Sequence, residues 1–216
     1  MKAIMISTRP QWVELILNGI KKDEVRKGTA LYKAINKLIE KQGVAPMFIY
    51  CTKGNRYLYE DTQYDESSMN WYPRHFICEK IKELKEYSLN GKVVARFNAT
   101  ADLLELKMIE GGLYFTTPDR DCFTPNLDLN ENAQIDNWQL LSYTGEKLGT
   151  QISDIHINDL EIFDKPKELS EFYHLGASEY HKDMEDEYGR RAKIYKDCFF
   201  GIKKAPQSWC YVEVDS

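Results

Sequence analysis

Hydrophobic and polar positions along the chain change period several times, and each change marks an element. Residues Lys2 to Ser7 alternate weakly and predict a short buried strand. Thr8-Arg9-Pro10 predicts a helix start, because proline in the first turn costs no needed donor. The segment from Gln11 to Asn18 then carries Trp12, Val13, Leu15, Ile16 and Leu17, a mostly apolar helix that Gly19 stops with a left-handed backbone. A strand across Lys21–Lys27 puts Lys22, Glu24 and Arg26 on one face and Val25 on the other. From Thr29 to Gln42, Leu31, Ile35, Leu38 and Ile39 recur at helical spacing.

The pattern continues with a central strand over Ala45–Cys51, a turn at Gly54-Asn55 and a strand from Arg56 to Tyr59. Glu60 to Asn70 is polar and predicts a surface loop. Ile77, Ile81 and Leu84 predict an amphipathic helix over Phe76–Tyr87. Asn90-Gly91 is a turn signal, and Lys92–Phe97 after it is the clearest strand of the chain. Thr116 to Asn137 holds Pro118, Pro125 and several Asp and Asn residues and predicts loop. His156 to Phe163 predicts a strand, Leu169 to Tyr188 a charged, partly helical stretch, and Ser208 to Val214 a last strand. Strands separated by unequal helices, without regular β–α alternation, predict an α+β domain rather than a doubly wound sheet.

Composition narrows this little. The 216 residues, 43% of them hydrophobic, are enough for one large domain with its own core. No stretch approaches the roughly 18–20 apolar residues of a membrane span, and the apolar part of Met1–Ser7 is too short for a signal peptide, so a cytoplasmic location is expected. Five scattered cysteines (Cys51, Cys78, Cys122, Cys198, Cys210) form no C-x-x-C pair, and the four histidines are dispersed; neither a metal nor a cofactor is expected. A net charge of −5 argues against broad coating of a nucleic-acid backbone, yet leaves room for a small site holding one base.

Candidate chemistry centres on Lys21, Glu24 and Arg26. Lys21 reads as a catalytic or phosphate-binding amine, its pKa lowered by Arg26 and Lys22, or as an exposed lysine beyond a helix stop. Glu24 and Arg26 read as a general base beside a guanidinium clamp, or as an ion pair contributing about 0.5 kcal/mol if exposed. Trp12 and Trp209 are either stacking platforms or core, Ser208 is a possible base-edge donor, Arg9 is placed to line a cleft, and His156 reads as a satisfied structural histidine.

Three segments resemble the ASCH family: Ser7-x-x-Pro10-x-Trp12 leading to Gly19-x-Lys21-x-x-Glu24-x-Arg26; the strand Gly91–Phe97; and, as in a phage- and prophage-encoded branch, Ile162–Phe172 with Pro206–Tyr211. The resemblance implies a single PUA-like domain over 1–216, a mixed β-barrel with flanking helices and with surface insertions near 29–44, 60–75 and 116–137. It implies recognition of RNA or a modified nucleotide in a cleft, or hydrolysis there (of an acylated nucleoside such as N4-acetylcytidine, or of RNA). Lys21, Glu24 and Arg26 are then the catalytic candidates, and Ser7, Arg9, Trp12, Ser208 and Trp209 the substrate-binding ones. Glu24 stands where the family's amidohydrolase carries a threonine, and Ile155 where the branch carries a tryptophan. A third reading is a protein-interaction component of a mobile element, for which the acidic surface suits a protein partner.

Overall fold

The computed structural model of the protein describes residues 1–80, 88–109, 111–117, 127–188 and 191–214. The apolar opening segment forms β1 (Lys2–Thr8), and Pro10 at the first helical position starts α1 (Pro10–Leu17). Asn18 caps α1, and Gly19 follows with φ +69°, as its helix-stopping role requires. β2 (Asp23–Lys27) leads to α2 (Ala30–Gln42), which buries Leu31, Ala34, Ile35 and Leu38 and ends at a left-handed Gly43. β3 (Pro46–Cys51) is buried at every position, as the unbroken apolar run Met47–Tyr50 demands.

Next come β4 (Arg56–Asp65), β5 (Asn70–Lys80), β6 (Val93–Ile109) and β7 (Gly112–Thr116). Helices α3 (Leu127–Ala133) and α4 (Asn137–Thr144) precede β8 (Gln151–Lys167). A 3-10 turn over Leu169–Glu171, α5 (Ala177–Tyr188), α6 (Arg191–Phe200) and β9 (Trp209–Glu213) complete the order. One mixed sheet runs β2-β8-β6-β3-β1-β9, with β7 on β6, while β4 and β5 form a separate hairpin. β1 is parallel to β3 and antiparallel to β9; β2 is antiparallel to β8.

The α+β class holds, but this sheet is not closed into a barrel. Its outermost strands, β2 and β9, have five residues each, and no ladder joins them among the described residues. The outer edge of β9 is occupied instead: Tyr173 exchanges both backbone hydrogen bonds with Glu213, at 3.0 and 2.8 Å. A covered edge removes the need for closure.

Three local expectations are corrected. Glu60–Asn70 is not a loop, because β4 continues to Asp65 and pairs with β5 from Arg56/Lys80 to Asp65/Asn70. Leu58 and Phe76 bury the base of this hairpin, and beyond them the strands satisfy each other's backbones without a buried face, so no apolar alternation marks them. Phe76–Lys80 is strand rather than helix, pairing with Arg56–Glu60; the remainder of that expected helix, 81–87, lies outside the described residues. Part of Thr116–Asn137 is helical. Asp136 opens α4 with a capping box, accepting from the Gln139 N–H at 2.7 Å while Gln139 accepts from its own, a D-x-x-Q signal present in the sequence.

Two compact units share the chain. The first comprises Met1–Asn18, Pro46–Phe97 and Leu160–Ser216; the second comprises Gly19–Ala45 and Asn98–Asp159. The first has a core of Ala3, Met5, Phe48, Val93, Phe172 and Val212, with Phe48 and Phe172 edge to face at 5.0 Å. The second packs Val25, Leu104, Leu106, Phe115, Leu140 and Ile152. Removing such apolar groups from water is the main favourable contribution of each core.

Candidate functional site

The second unit gathers the ionisable side chains around β2. That strand is held by its ladder to β8, in which Asp23 pairs with His156, Glu24 with Ile155, Val25 with Asp154 and Arg26 with Ser153. Before the strand, the Lys22 N–H donates to the Asn132 carbonyl at 2.8 Å, and the Ile157 N–H donates to the Lys22 carbonyl at 2.9 Å. Side chains alternate across a strand, so Glu24 and Arg26 share one face while Asp23, Asp154 and His156 share the other.

On the first face, Glu24 is shared by two cations. Its Oε1 lies 2.8 Å from an Arg26 terminal nitrogen and its Oε2 lies 3.5 Å from the Lys21 Nζ. Lys21 also donates to the carbonyl of Ala133, the last residue of α3, at 2.5 Å. The Lys21 side chain is 5% exposed, Glu24 8% and Arg26 14%. The Lys21 pKa is lowered. Burial is the main cause, and the Glu24 charge and hydrogen bond oppose it. Arg26 adds only a smaller push downward, and Lys22 is exposed, so desolvation rather than neighbouring cations dominates.

On the second face, the His156 Nδ1 lies 2.9 Å from Asp23 Oδ1, and its Nε2 lies 3.3 Å from Asp102 Oδ2. The hydrogen bond to Asp23 is the main reason the imidazole pKa rises to about 9. Asp154 is 2% exposed, and its Oδ1 has no hydrogen-bond partner. Burial, reinforced by the Asp23 charge, pushes its carboxyl up to about 7. Asp23, Asp154 and His156 are the group, among the described residues, that offers three ligand atoms within 4.8 Å of one another.

No protein-family model matches the chain, and no curated protein matches it.

The expected substrate-binding residues all belong to the first unit. Ser7 is buried, with its N–H on the Ser208 carbonyl at 2.8 Å and its hydroxyl on the Pro206 carbonyl at 2.6 Å. Trp209, opposite Ile6 in the β1–β9 ladder, is half-buried and meets Tyr211 edge-on at 5.6 Å. Arg9 is exposed at the N-cap of α1, Trp12 is half-buried on that helix, and Ser208 is exposed. The fold therefore brings Ser7 to Ser208 and, separately, Lys21 to Glu24 and Arg26.

From the sequence His156 reads as structural, and Asp23, Asp102 and Asp154 carry no assigned role. Asp154-x-His156 on one strand face was a readable signal. Asp23 and Asp102 were not, since each joins His156 only through packing between distant segments.

Proposed function

We propose that this chain recognises RNA or a modified nucleotide through the Lys21–Glu24–Arg26 cluster, as an ASCH-type protein of PUA-like descent. The observation supporting this reading is that the charged positions of the G-x-K-x-x-E-x-R motif meet in one largely desolvated ion cluster. Glu24 pre-orients the guanidinium, and Arg26 is the most accessible of the three, so Arg26 meets a phosphate or base carbonyl first.

The lowered pKa of Lys21 favours a second reading, hydrolysis at the same cluster. A neutral amine takes a proton or attacks a carbonyl more readily than an ammonium ion. Lys21 would then be base or nucleophile, Glu24 the proton shuttle and Arg26 the stabiliser of developing negative charge.

The test is binding of a short single-stranded RNA and of N4-acetylcytidine to the wild type and to Arg26→Lys, with product analysis of the same samples. Arg26→Lys keeps the charge but loses the planar fork, and roughly tenfold weaker binding at unchanged melting temperature is expected. Deacetylated or cleaved product selects the hydrolase reading. Equal binding by both proteins, or none by a folded wild type, overturns the proposal.

A further inference from the structure

The opposite face of β2 holds a cluster that the nucleotide reading does not use. Asp23 and His156 are direct ladder partners, and Asp154 is two residues from His156 on the same strand face. Their ligand atoms lie within 4.8 Å of one another. Around a zinc-sized ion, oxygen and nitrogen ligands at about 2.0–2.2 Å in tetrahedral directions stand about 3.4 Å apart, so small side-chain adjustments close the set.

Two further observations point to a cation. Asp154 is a carboxylate 2% exposed to solvent whose Oδ1 accepts no hydrogen bond. A buried carboxylate oxygen without a donor is costly, and a metal ion is one of the few partners that removes the cost. The imidazole is also held as metal-ligating histidines are: one ring nitrogen faces the cluster while the other, Nε2, is 3.3 Å from the Asp102 carboxylate. Such an outer carboxylate fixes the ring tautomer and orientation.

We propose that Asp23, Asp154 and the Nδ1 atom of His156 bind a divalent first-row cation of the Zn2+ type, with Asp102 as the outer carboxylate that orients the ring. The buried carboxylates of Asp23 and Asp154 offset the double positive charge of the ion, against the nearby charge of Lys21. Mixed nitrogen and oxygen donors without thiolate favour Zn2+ or Mn2+ over Mg2+ or Ca2+. Three protein ligands leave a coordination position for water or substrate, the arrangement of reactive rather than purely structural zinc sites. Binding requires Nδ1 to present its lone pair to the metal, so the proton left on the ring sits on Nε2 facing Asp102, and only a doubly protonated ring gives up its Nδ1 proton to solvent. Lys21 acts electrostatically on Asp23 and Asp154, but a Zn2+ titration without nucleotide tests this site separately from nucleotide recognition.

The experiment is titration of the chelator-treated full chain with Zn2+ alone, by calorimetry in two buffers of different ionisation enthalpy, with Mg2+ as a comparison. Saturable 1:1 binding with proton release is expected. Asp154→Asn should lose more affinity than the roughly 10–100-fold that removal of an outer partner costs, and Asp102→Asn should fall within that range. His181→Ala and Cys198→Ser, altered outside the cluster, should bind as the wild type does. Co2+ absorption of the unaltered protein gives a readout that needs no variant: ligand-field bands of a nitrogen–oxygen tetrahedral site, without a thiolate charge-transfer band. Zn2+ binding that survives Asp154→Asn, thiolate bands with Co2+, or no 1:1 binding by folded wild type overturns the proposal.

Discussion

The His156 Nδ1 lies 2.9 Å from Asp23 Oδ1, and the two residues are direct partners across the β2–β8 ladder. Backbone register thus sets a side-chain pair whose members are 133 positions apart in sequence. The same ladder puts Glu24 and Arg26 on the far side of β2, while Lys21, just before the strand, acts electrostatically on Asp23 and Asp154 as well as on Glu24.

The His156–Asp23 pair gives a pH dependence with a definite sign. Hydrogen bonding to Asp23 raises the folded imidazole pKa to about 9, above its ordinary value of 6.5. The stabilisation is therefore fully present below pH 6.5 and is lost as pH rises through 9. The ring is about one-third exposed, so solvent screening limits the contribution to about 1–2 kcal/mol. Urea midpoints measured in chelator from pH 6 to 10 should fall more steeply for the wild type than for His156→Gln.

Asp154→Asn should raise stability at high pH. The folded carboxyl, pushed up to about 7 by burial, is above its ordinary 3.8, so its protonated form favours folding below pH 3.8 and that advantage disappears as pH rises through 7. Asparagine removes the ionisation. In chelator the variant should match the wild type near pH 4 and exceed it by about 1–3 kcal/mol at pH 8.5, in a urea-unfolding comparison.

Glu24→Ala leaves the buried Lys21 and the largely desolvated Arg26 without their shared carboxylate. Breaking a buried pair from one side costs about 3–5 kcal/mol, and chemical denaturation of the variant should show a loss of that size. A loss below about 1 kcal/mol would assign the cluster to the solvated class of ion pairs.

Two glycines distinguish backbone strain from simple space. Neither Gly43 nor Gly54 has an atom within 4 Å of where a Cβ would stand, but Gly43 has φ +79° and Gly54 does not lie in the left-handed region. Gly43→Ala should cost about 1 kcal/mol or more, whereas Gly54→Ala should be neutral or stabilise by up to about 1 kcal/mol through a less flexible unfolded chain. Thermal melts of the two variants provide the comparison.

Much of the fold was legible where local chemistry decides it. Pro10 and Gly19 bracket α1, the spacing of Leu31, Ile35 and Leu38 announces α2, and the apolar runs of β1 and β3 mark central strands. The D-x-x-Q box at the start of α4 was equally local and was obscured by its polar surroundings. The β4–β5 hairpin was not legible, because cross-strand pairing beyond Leu58 and Phe76 needs no buried face.

Local pattern alone carries the α+β character, most helix and strand positions, and the shared strand face of Glu24 and Arg26, whereas Lys21 meets Glu24 through a turn and a tertiary contact with the Ala133 carbonyl. The local features depend on backbone preference and side-chain periodicity, which act over a few residues. Long-range packing alone keeps the sheet open, brings Ser7 to Ser208, and gathers Asp23, Asp102 and Asp154 around His156. Strand register and edge coverage join distant segments, 54 and 133 residues apart for the Asp102 and Asp23 contacts of His156, and no local preference encodes which distant strand supplies the partner.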